Sequence, residues 1–267
     1  MPKRQERSKL QKWLHDLETT AQIRGFKCEQ WGSSDRFPLI GFTRNSPSGG
    51  PRIYLSAGIH GDEPAGPLAI EWLLQKDRLH RNATWRVCPL LNPVGWLRGT
   101  REGFCGEDHN RDYLNPKTVE TAAHCAWIEK HFPNDLYLSL HEDWEATGFY
   151  LYEINNSGKP GFGREVLKKV SQVMEIEPAR LIDDHDVYAP GYIAHEPEPD
   201  EPLRWPEAIY HSKLYPHLSY TFETPSSLPL TQRVEALAVA TEAAVEEFFH
   251  RLKSFQQSGD DDRHLRD

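Results

Sequence analysis

The sequence lacks several features that would assign the protein to a class at once. Its four cysteines, Cys28, Cys88, Cys105 and Cys125, form no C-x-x-C pair, which disfavours a zinc knuckle or a dense disulfide framework. No stretch approaches about 18 apolar residues, and the charged N-terminus precedes no apolar segment. We therefore expect neither a membrane span nor a secretion signal, and predict a cytoplasmic protein with free, buried thiols.

Positive charge is also scarce. The 31 basic residues against 40 acidic residues leave a formal net charge of −9, which argues against binding to nucleic acid or to an anionic membrane surface. There is no internal repeat and no G-x-G-x-x-G nucleotide fingerprint. At 267 residues, the chain is long enough for one large core and short for two ordinary domains. We predict a single domain at residues 1–254 and a frayed, charged tail at 255–267.

The spacing of apolar residues predicts alternating strands and helices. Residues about 5–45 read as an amphipathic helix followed by a pair of strands. The core, at about 52–253, has predicted strands at 53–57, 85–91, 135–140, 148–154 and 218–222, and helices at 64–74, 118–131, 162–174 and 230–253. This alternation predicts an α/β fold with a mixed, mostly parallel twisted sheet that has helices on both faces.

A histidine and a glutamate follow the apolar strand at 53–57. His60 and Glu63 lie three residues apart, where the strand gives way to a helix and where Gly58 and Gly61 allow the chain to turn. Imidazole nitrogen and carboxylate oxygen are zinc ligands, and catalytic zinc sites use three protein ligands. The pair would suit half of a metal site, although a bare His-x-x-Glu is more often two exposed side chains in a loop.

Two further strand ends carry polar residues of the same kind. The strand at 135–140 ends in His141, and the strand at 218–222 ends in Glu223. Ligands of parallel α/β sheets gather beyond the carboxyl ends of strands, where these residues would lie. The connection at 92–116 is polar, rich in turns and dense in Arg, Asp, His and Asn, and such long connections are more often functional than filler.

Taken together, these residues resemble the M14 family of zinc carboxypeptidases and amidases. The resemblance extends over about two thirds of the chain, and the compact bacterial murein peptide amidases are the most similar members in size. It implies the zinc carboxypeptidase fold. The matching motifs, in order, are His60-x-x-Glu63, Asn92-Pro-x-Gly95, an arginine, Asp108-x-Asn110-Arg111, Ser139-Leu-His141 and Phe222-Glu-Thr-Pro225.

The resemblance implies a role for each residue. His60, Glu63 and His141 would bind one zinc ion per chain and leave a position for water, with no other cofactor. Glu223 would take a proton from this water and later pass one to the departing amine. The remaining roles are those of Arg101 facing the oxyanion, Asn110 and Arg111 holding a substrate carboxylate, and Asp108 accepting from the free ring nitrogen of His60.

Three assignments stay open. Arg98 is an alternative to Arg101, and His109 stands where the family usually has an apolar residue. The acidic segment at 181–205 contains rival metal ligands and could be a linker or a loop bordering a pocket. The rival ligands are His185 and His195, and the candidates for a tyrosine over the substrate are Tyr188, Tyr192 and Tyr210.

The implied function is a zinc-dependent hydrolase that cleaves the amide bond to a carboxylate-bearing terminal residue of a small peptide. The alternative is an N-acyl amino acid deacylase of the succinylglutamate desuccinylase or aspartoacylase type, although no room remains after Glu223 for the extra C-terminal β domain of that branch. A non-catalytic metal or peptide binder is disfavoured because Glu223 and Arg101 are present. If the acidic segment borders the side-chain pocket, substrates with an amine, such as lysine or diaminopimelate, are favoured. The oligomeric state is not predicted.

Overall fold

Strands and helices alternate along the chain in the computed structural model, which describes residues 4–215 and 217–264, with side chains for 5–215 and 217–254. The strands are β1 (Lys27–Ser34), β2 (Phe37–Arg44), β3 (Arg52–Ala57), β4 (Thr84–Cys88), β5 (Leu136–Asp143), β6 (Tyr150–Asn155), β7 (Leu181–Ile182), β8 (His185–Asp186), β9 (Tyr192–His195) and β10 (Leu218–Pro225). The helices are α1 (Arg4–Ile23), α2 (Ala65–Gln75), α3 (Pro93–Arg98), α4 (Val119–Lys130), α5 (Gly163–Val170), α6 (Glu207–Leu214) and α7 (Leu230–His264), with one 3-10 turn at His109–Arg111.

Eight of these strands form one sheet, in the order β1-β2-β4-β3-β5-β10-β6-β9, and β7 and β8 form a separate hairpin. The pairs β4–β3, β3–β5, β5–β10 and β6–β9 are parallel. The pairs β1–β2, β2–β4 and β10–β6 are antiparallel. The predicted α/β fold with a mixed, mostly parallel sheet is therefore confirmed.

The alternation of side chains along β5 and β10 assigns the two faces of the sheet. Leu138 and Phe222 belong to the large core, which α1, α2, α5 and α7 cover, whereas Tyr137 belongs to a smaller core under α4. Successive strand residues point to opposite faces. His141 and Glu223 therefore share the face of Tyr137, opposite to α7, and helices flank both faces as predicted.

The register of the strands places a row of polar side chains across the sheet. His141 of β5 pairs directly with Glu223 of β10, and Tyr150 of β6 pairs with Glu223 from the other side. Neighbouring strands lie about 4.8 Å apart. A histidine, a carboxylate and a phenol consequently stand side by side at the carboxyl ends of β5 and β10.

The polar connections contain structure that the apolar pattern does not predict. Helix α3 is only six residues long, and it begins with an Asn92 side-chain cap and ends at Gly99, whose φ is 64°. Caps rather than apolar periodicity define so short a helix. The acidic segment contains β7, β8 and β9. Helix α7 continues to His264, beyond residue 253, and residues 265–267 of the predicted tail lie outside the described residues.

All four cysteines are free, as predicted, but they are not all buried. Cys88 and Cys125 are buried and Cys28 is partly buried, whereas Cys105 is exposed. The prediction of buried thiols is wrong for Cys105, because it lies on the outer turn of a polar loop. In the described part of the chain, no helix combines the length and apolar character needed to span a membrane.

Candidate metal centre

His60, Glu63 and His141 meet just beyond the carboxyl ends of β3 and β5. Glu63 Oε1 lies 2.5 Å from His60 Nδ1, and Glu63 Oε2 lies 3.0 Å from His141 Nδ1. Each of these side chains is at most 6% exposed. One buried carboxylate thus faces a ring nitrogen of each of two buried imidazoles.

This donor set fits a divalent metal ion. Asp108 Oδ1 lies 3.3 Å from His60 Nε2, an ion-pair distance with poor alignment for a hydrogen bond. Because a carboxylate only accepts, this contact favours a proton on Nε2 of His60 and a lone pair on its Nδ1. A lone pair facing the carboxylate of Glu63 requires a cation, either a proton or a metal ion. Two imidazoles and one carboxylate are a ligand set that zinc binds.

The pKa shifts of His60 and Glu63 show that the site favours positive charge. Burial alone would lower the pKa of His60, but the charge of Glu63 and the contact with Asp108 outweigh it and raise this pKa to about 9. Burial alone would raise the pKa of Glu63, but the charges of His60 and His141 lower it. A metal ion would replace the proton that lies between Glu63 and His60, so metal binding would release this proton to the solvent.

The loop that carries His60 rests on helix α3. Asn92 accepts a hydrogen bond from Gly95 N at 2.8 Å and donates one to Arg101 O at 3.2 Å. Arg101 O also accepts from Gly61 N at 3.4 Å. A Cβ on Gly61 would lie 1.9 Å from the carbonyl carbon of Gly95, so the two backbones are in direct contact. The Asn92-Pro-x-Gly95 motif therefore supports the loop with the metal ligands.

We expect the substitution Gly61→Ala to weaken both the fold and metal binding. The added methyl group must push His60 and α3 apart, and overpacking of this kind costs about 1–3 kcal/mol. Thermal denaturation and zinc titration of the purified variant measure the two effects. A variant with the melting temperature and zinc affinity of the wild type would contradict this interpretation of the loop.

Arg101 points towards the candidate metal centre, whereas Arg98 lies outside it. Arg101 Nε donates to Asp108 Oδ2 at 3.0 Å, and Arg101 Nη1 lies 3.7 Å from Glu63 Oε1. Arg98 is exposed, with its guanidinium group 5.6 Å from the ring centroid of Phe104. Of the two arginines considered from the sequence, the structure brings Arg101 to the site.

Asn110 and Arg111 line the same cavity as the metal ligands. Asn110 Oδ1 accepts a hydrogen bond from the backbone N–H of Glu207 at 2.9 Å, at the start of α6. One terminal nitrogen of Arg111 donates to the backbone oxygen of Asn110 at 2.8 Å. Among the residues that the structure describes, no carboxylate lies within ion-pair distance of Arg111, so its charge is available to a bound anion.

Glu223 also lines this cavity, beside His141. Burial raises the pKa of Glu223 well above its usual value, the positive charge of His141 opposes this rise, and the negative charge of Glu63 adds to it. A metal ion would lower this pKa again, because a nearby cation favours the ionised carboxylate. The proton affinity of the Glu223 carboxylate therefore depends on the charge of the ion bound next to it.

The cavity has a volume of about 650 Å³, within the range of about 300–1,000 Å³ that is typical of small-ligand sites. It joins the candidate metal ligands to Arg101, Asn110, Arg111 and Glu223, whereas Asp108, also predicted for the site, is not among its lining residues. Its wall also contains acidic and aromatic residues that the sequence did not single out for this purpose: Asp143, Tyr137, Tyr150 and Tyr152.

Comparison with known proteins gives matches in both sequence and structure. Residues 49–125 match the family model described as the succinylglutamate desuccinylase/aspartoacylase catalytic domain. This segment contains His60, Glu63 and Arg111, but neither His141 nor Glu223. No curated protein sequence matches the chain.

Solved structures resemble most of the chain. A candidate metallopeptidase from Shewanella amazonensis SB2B has a TM-score of 0.76 and 25% identity, covering 87% of this chain and 91% of its own. A metallo-carboxypeptidase from Burkholderia cenocepacia has a TM-score of 0.65 and 18% identity, covering 88% and 68%. The chain has the metallo-carboxypeptidase fold. The resemblance to M14 enzymes is therefore confirmed.

A third structure with the metallo-carboxypeptidase fold contains a ligand. It is the metallo-carboxypeptidase from Pseudomonas aeruginosa in complex with (2-guanidinoethylmercapto)succinic acid, with a TM-score of 0.58 and 18% identity, covering 86% of this chain and 66% of its own. At this identity the similarity concerns the fold.

Within this carboxypeptidase fold, the tyrosines at the cavity differ from those considered from the sequence. Tyr150 and Tyr152 line the cavity, on adjacent same-face positions of β6, and Tyr150 OH donates to Asp143 Oδ2 at 3.0 Å. Their Tyr-x-Tyr alternation in a predicted strand was the available signal, but the pairing of β6 with β10, which brings Tyr150 next to Glu223, is not readable from the sequence. The residues Tyr188, Tyr192 and Tyr210 are not among those that line the cavity.

Glu142 is a further residue that supports the site, and no pattern in the sequence predicts its role. Its side chain accepts from Ala65 N at 2.5 Å, at the start of α2, and pairs with Arg233 of α7. Its backbone N–H donates to Glu63 Oε2 at 3.2 Å. Glu142 therefore fixes the end of β5 against the helix that follows Glu63, through contacts distant in sequence that leave no local signal.

Proposed function

We propose that the protein is a zinc-dependent hydrolase of the M14 type that cleaves the amide bond to a carboxylate-bearing terminal residue of a small peptide. The observation that supports this best is the shared cavity, in which the three candidate ligands lie together with Glu223 and with Arg111, which no carboxylate of the described residues approaches to ion-pair distance. The ligand triad alone would fit a structural metal site. The added base and anion-binding group are what a hydrolase of terminal residues requires.

In the proposed mechanism, His60, Glu63 and His141 would hold a zinc ion, which would supply Lewis acidity at neutral pH. Glu223 takes a proton from the attacking water and passes it to the departing amine, a role typically worth about 10²–10⁴-fold in rate. Arg101 faces the oxygen atom that becomes negative during attack, and a single donor of this kind contributes about 3–4 kcal/mol.

The other two cavity residues orient the substrate. The guanidinium group of Arg111 forms a planar fork that matches the two oxygens of a terminal carboxylate. Asn110 has its carbonyl oxygen committed to the backbone of Glu207, which leaves its amide N–H groups as donors. Binding the terminal carboxylate here restricts cleavage to the last amide bond.

A deacylase of N-acyl amino acids is the second candidate, and the family model matched at residues 49–125 favours it. The metal-binding loop and Arg111 in that segment would serve both reactions, so the match makes the deacylase a candidate without excluding the peptidase. Similarity to a metallopeptidase over 87% of the chain favours a peptide substrate. Turnover of N-acetyl or N-succinyl amino acids, without turnover of peptides, would replace the peptidase proposal by the deacylase.

We further propose that the substrate carries an amine on its terminal side chain. Of the seven carboxylates in the acidic segment, three line the cavity: Asp200, which lies beside His185 and His195, and Asp183 and Asp184, which would face the amine. Asp143 adds another negative charge, whereas Arg101 and Arg111 are the cations. The Pseudomonas enzyme, which shares the fold, binds a ligand that combines a guanidino group with a dicarboxylic acid. Both observations fit a substrate with a cationic side chain and an anionic terminus.

We expect peptides with C-terminal lysine or diaminopimelate to be hydrolysed faster than the matching peptide with C-terminal leucine. Asp183→Asn should reduce this preference about tenfold, the effect of one charged contact of about 1.4 kcal/mol. The control is Glu201→Gln, which removes an exposed carboxylate of the same segment outside the cavity. Ratios of kcat/KM for the peptides give the measurement, and a clear preference for leucine would exclude the amine pocket.

A further inference from the structure

A second group of metal-ligating side chains lines the cavity. It consists of His185 on β8, His195 at the end of β9, and Asp200 in the loop that follows. Their side chains are 23%, 12% and 65% exposed, respectively. From the sequence, the two histidines are rival ligands for the first metal centre, but the structure groups them separately. No step of the proposed reaction uses them.

The two distances from Asp200 to the histidines are close to those between ligands of one tetrahedral ion. Asp200 Oδ1 lies 3.5 Å from His185 Nε2 and 3.3 Å from His195 Nε2. Zinc–ligand bonds of about 2.0–2.1 Å at tetrahedral angles place neighbouring ligand atoms about 3.3–3.4 Å apart. All three ligand atoms lie within 4.8 Å of one another, so one ion can reach all of them with small side-chain movements.

The tautomer of His195 also suits metal binding. His195 Nδ1 lies 2.6 Å from the backbone oxygen of Glu196, which can only accept, so Nδ1 carries a proton. The other ring nitrogen, Nε2, then faces an oxygen of Asp200 at 3.3 Å, where a bound cation would join the two groups. Hydrogen bonding of the second ring nitrogen to a carbonyl group is the usual way in which a metal-binding histidine is oriented.

Tyr152 holds the two rings in place. Its ring packs edge to face with His185 and with His195, at centroid distances of 5.8 and 6.0 Å. Its hydroxyl group donates to Asp183 Oδ2 at 2.8 Å, in the turn between β7 and β8. The imidazoles are thereby positioned by contacts other than their pairing with Asp200.

We propose that His185, His195 and Asp200 bind a second divalent metal ion of the zinc class, with the fourth position open to water or to a substrate atom in the cavity. The ion would connect the β7–β8 hairpin, the edge strand β9 and the loop around Asp200, and so would fix this wall of the cavity. The alternative is that a proton on one ring holds the cluster as an ion pair. This site does not depend on the proposed reaction.

Metal content after dialysis against a zinc-buffered solution, measured by elemental analysis, tests the second site. We expect about two zinc ions per chain in the wild type and about one in His195→Asn. Asp200→Asn should also lose about one ion, and its exposed side chain makes misfolding a poor explanation for the loss. His15→Asn, which changes an exposed histidine of α1 outside both groups, is the matched control and should keep about two.

The variant His141→Ala separates this inference from the proposed function. Loss of one ion from His141→Ala and of another from His195→Asn supports two independent sites. Loss from His195→Asn alone supports the second site and removes the basis of the proposed reaction. A wild type with one ion whose content is unchanged in His195→Asn and Asp200→Asn would overturn the second site and leave the ion pair as the explanation.

Discussion

Replacing Glu223 by glutamine lowers kcat by about 10²–10⁴-fold and leaves the content of metal at the first centre unchanged. Glutamine has the shape of glutamate but cannot accept the proton of the attacking water. The side chain lies next to His141 in the strand register without being one of the three grouped ligands, so the metal should remain bound. Steady-state kinetics on a peptide with C-terminal lysine, together with elemental analysis, measure both quantities.

The matched control for this substitution is Glu107→Gln, which makes the same chemical change at an exposed residue of the loop before Asp108. It should retain the activity of the wild type. If Glu223→Gln keeps more than about a tenth of the wild-type kcat, Glu223 is not the general base. If it loses its metal as well, Glu223 contributes to the binding of the ion rather than to proton transfer alone.

Removal of the metal by a chelator should lower peptide hydrolysis by about 10³-fold or more, and addition of zinc should restore it. Lewis acid stabilisation contributes several kcal/mol, and each 1.36 kcal/mol corresponds to tenfold in rate. In His141→Ala, zinc at the same concentration should fail to restore activity. The imidazole that this variant lacks provides a buried ligand atom 3.0 Å from Glu63 Oε2.

The control for the ligand variant is His250→Ala, since His250 is exposed on α7 and is not in either metal group. This variant should lose activity with the chelator and regain it with zinc, as the wild type does. Full turnover by the chelated wild type, verified to be free of metal, would contradict a metal-dependent mechanism. Recovery of His141→Ala with zinc would contradict the assignment of His141 as a ligand.

The three strand ends were predictable because strand and polar signals coincide there. His60 and His141 each follow an apolar run, and Glu223 follows a third, so the carboxyl-end rule for parallel sheets predicts their proximity. The row formed by His141, Glu223 and Tyr150 was only partly predictable. The proximity of His141 and Glu223 follows from their parallel strands. The position of Tyr150 depends on an antiparallel pairing between segments far apart in sequence.

The acidic segment shows where composition stops being informative. Its composition fits either a linker or a loop bordering a pocket, and it does not predict which carboxylates face the cavity. Asp183 and Asp184 do so because both adopt positive φ, 47° and 62°, in the tight turn between β7 and β8. The contact of His185 and His195 likewise arises from the turn and from the edge position of β9. Neither feature has a periodic signature in the sequence.

Anomalous X-ray diffraction above and below the zinc absorption edge, from crystals of the zinc-loaded protein, tests the first metal centre most directly. We predict a difference peak between His60 Nδ1, His141 Nδ1 and the carboxylate of Glu63, with Glu223 and Arg101 facing the same cavity. Crystals in which zinc binds elsewhere while these three side chains contact one another without an anomalous peak would contradict the proposed centre.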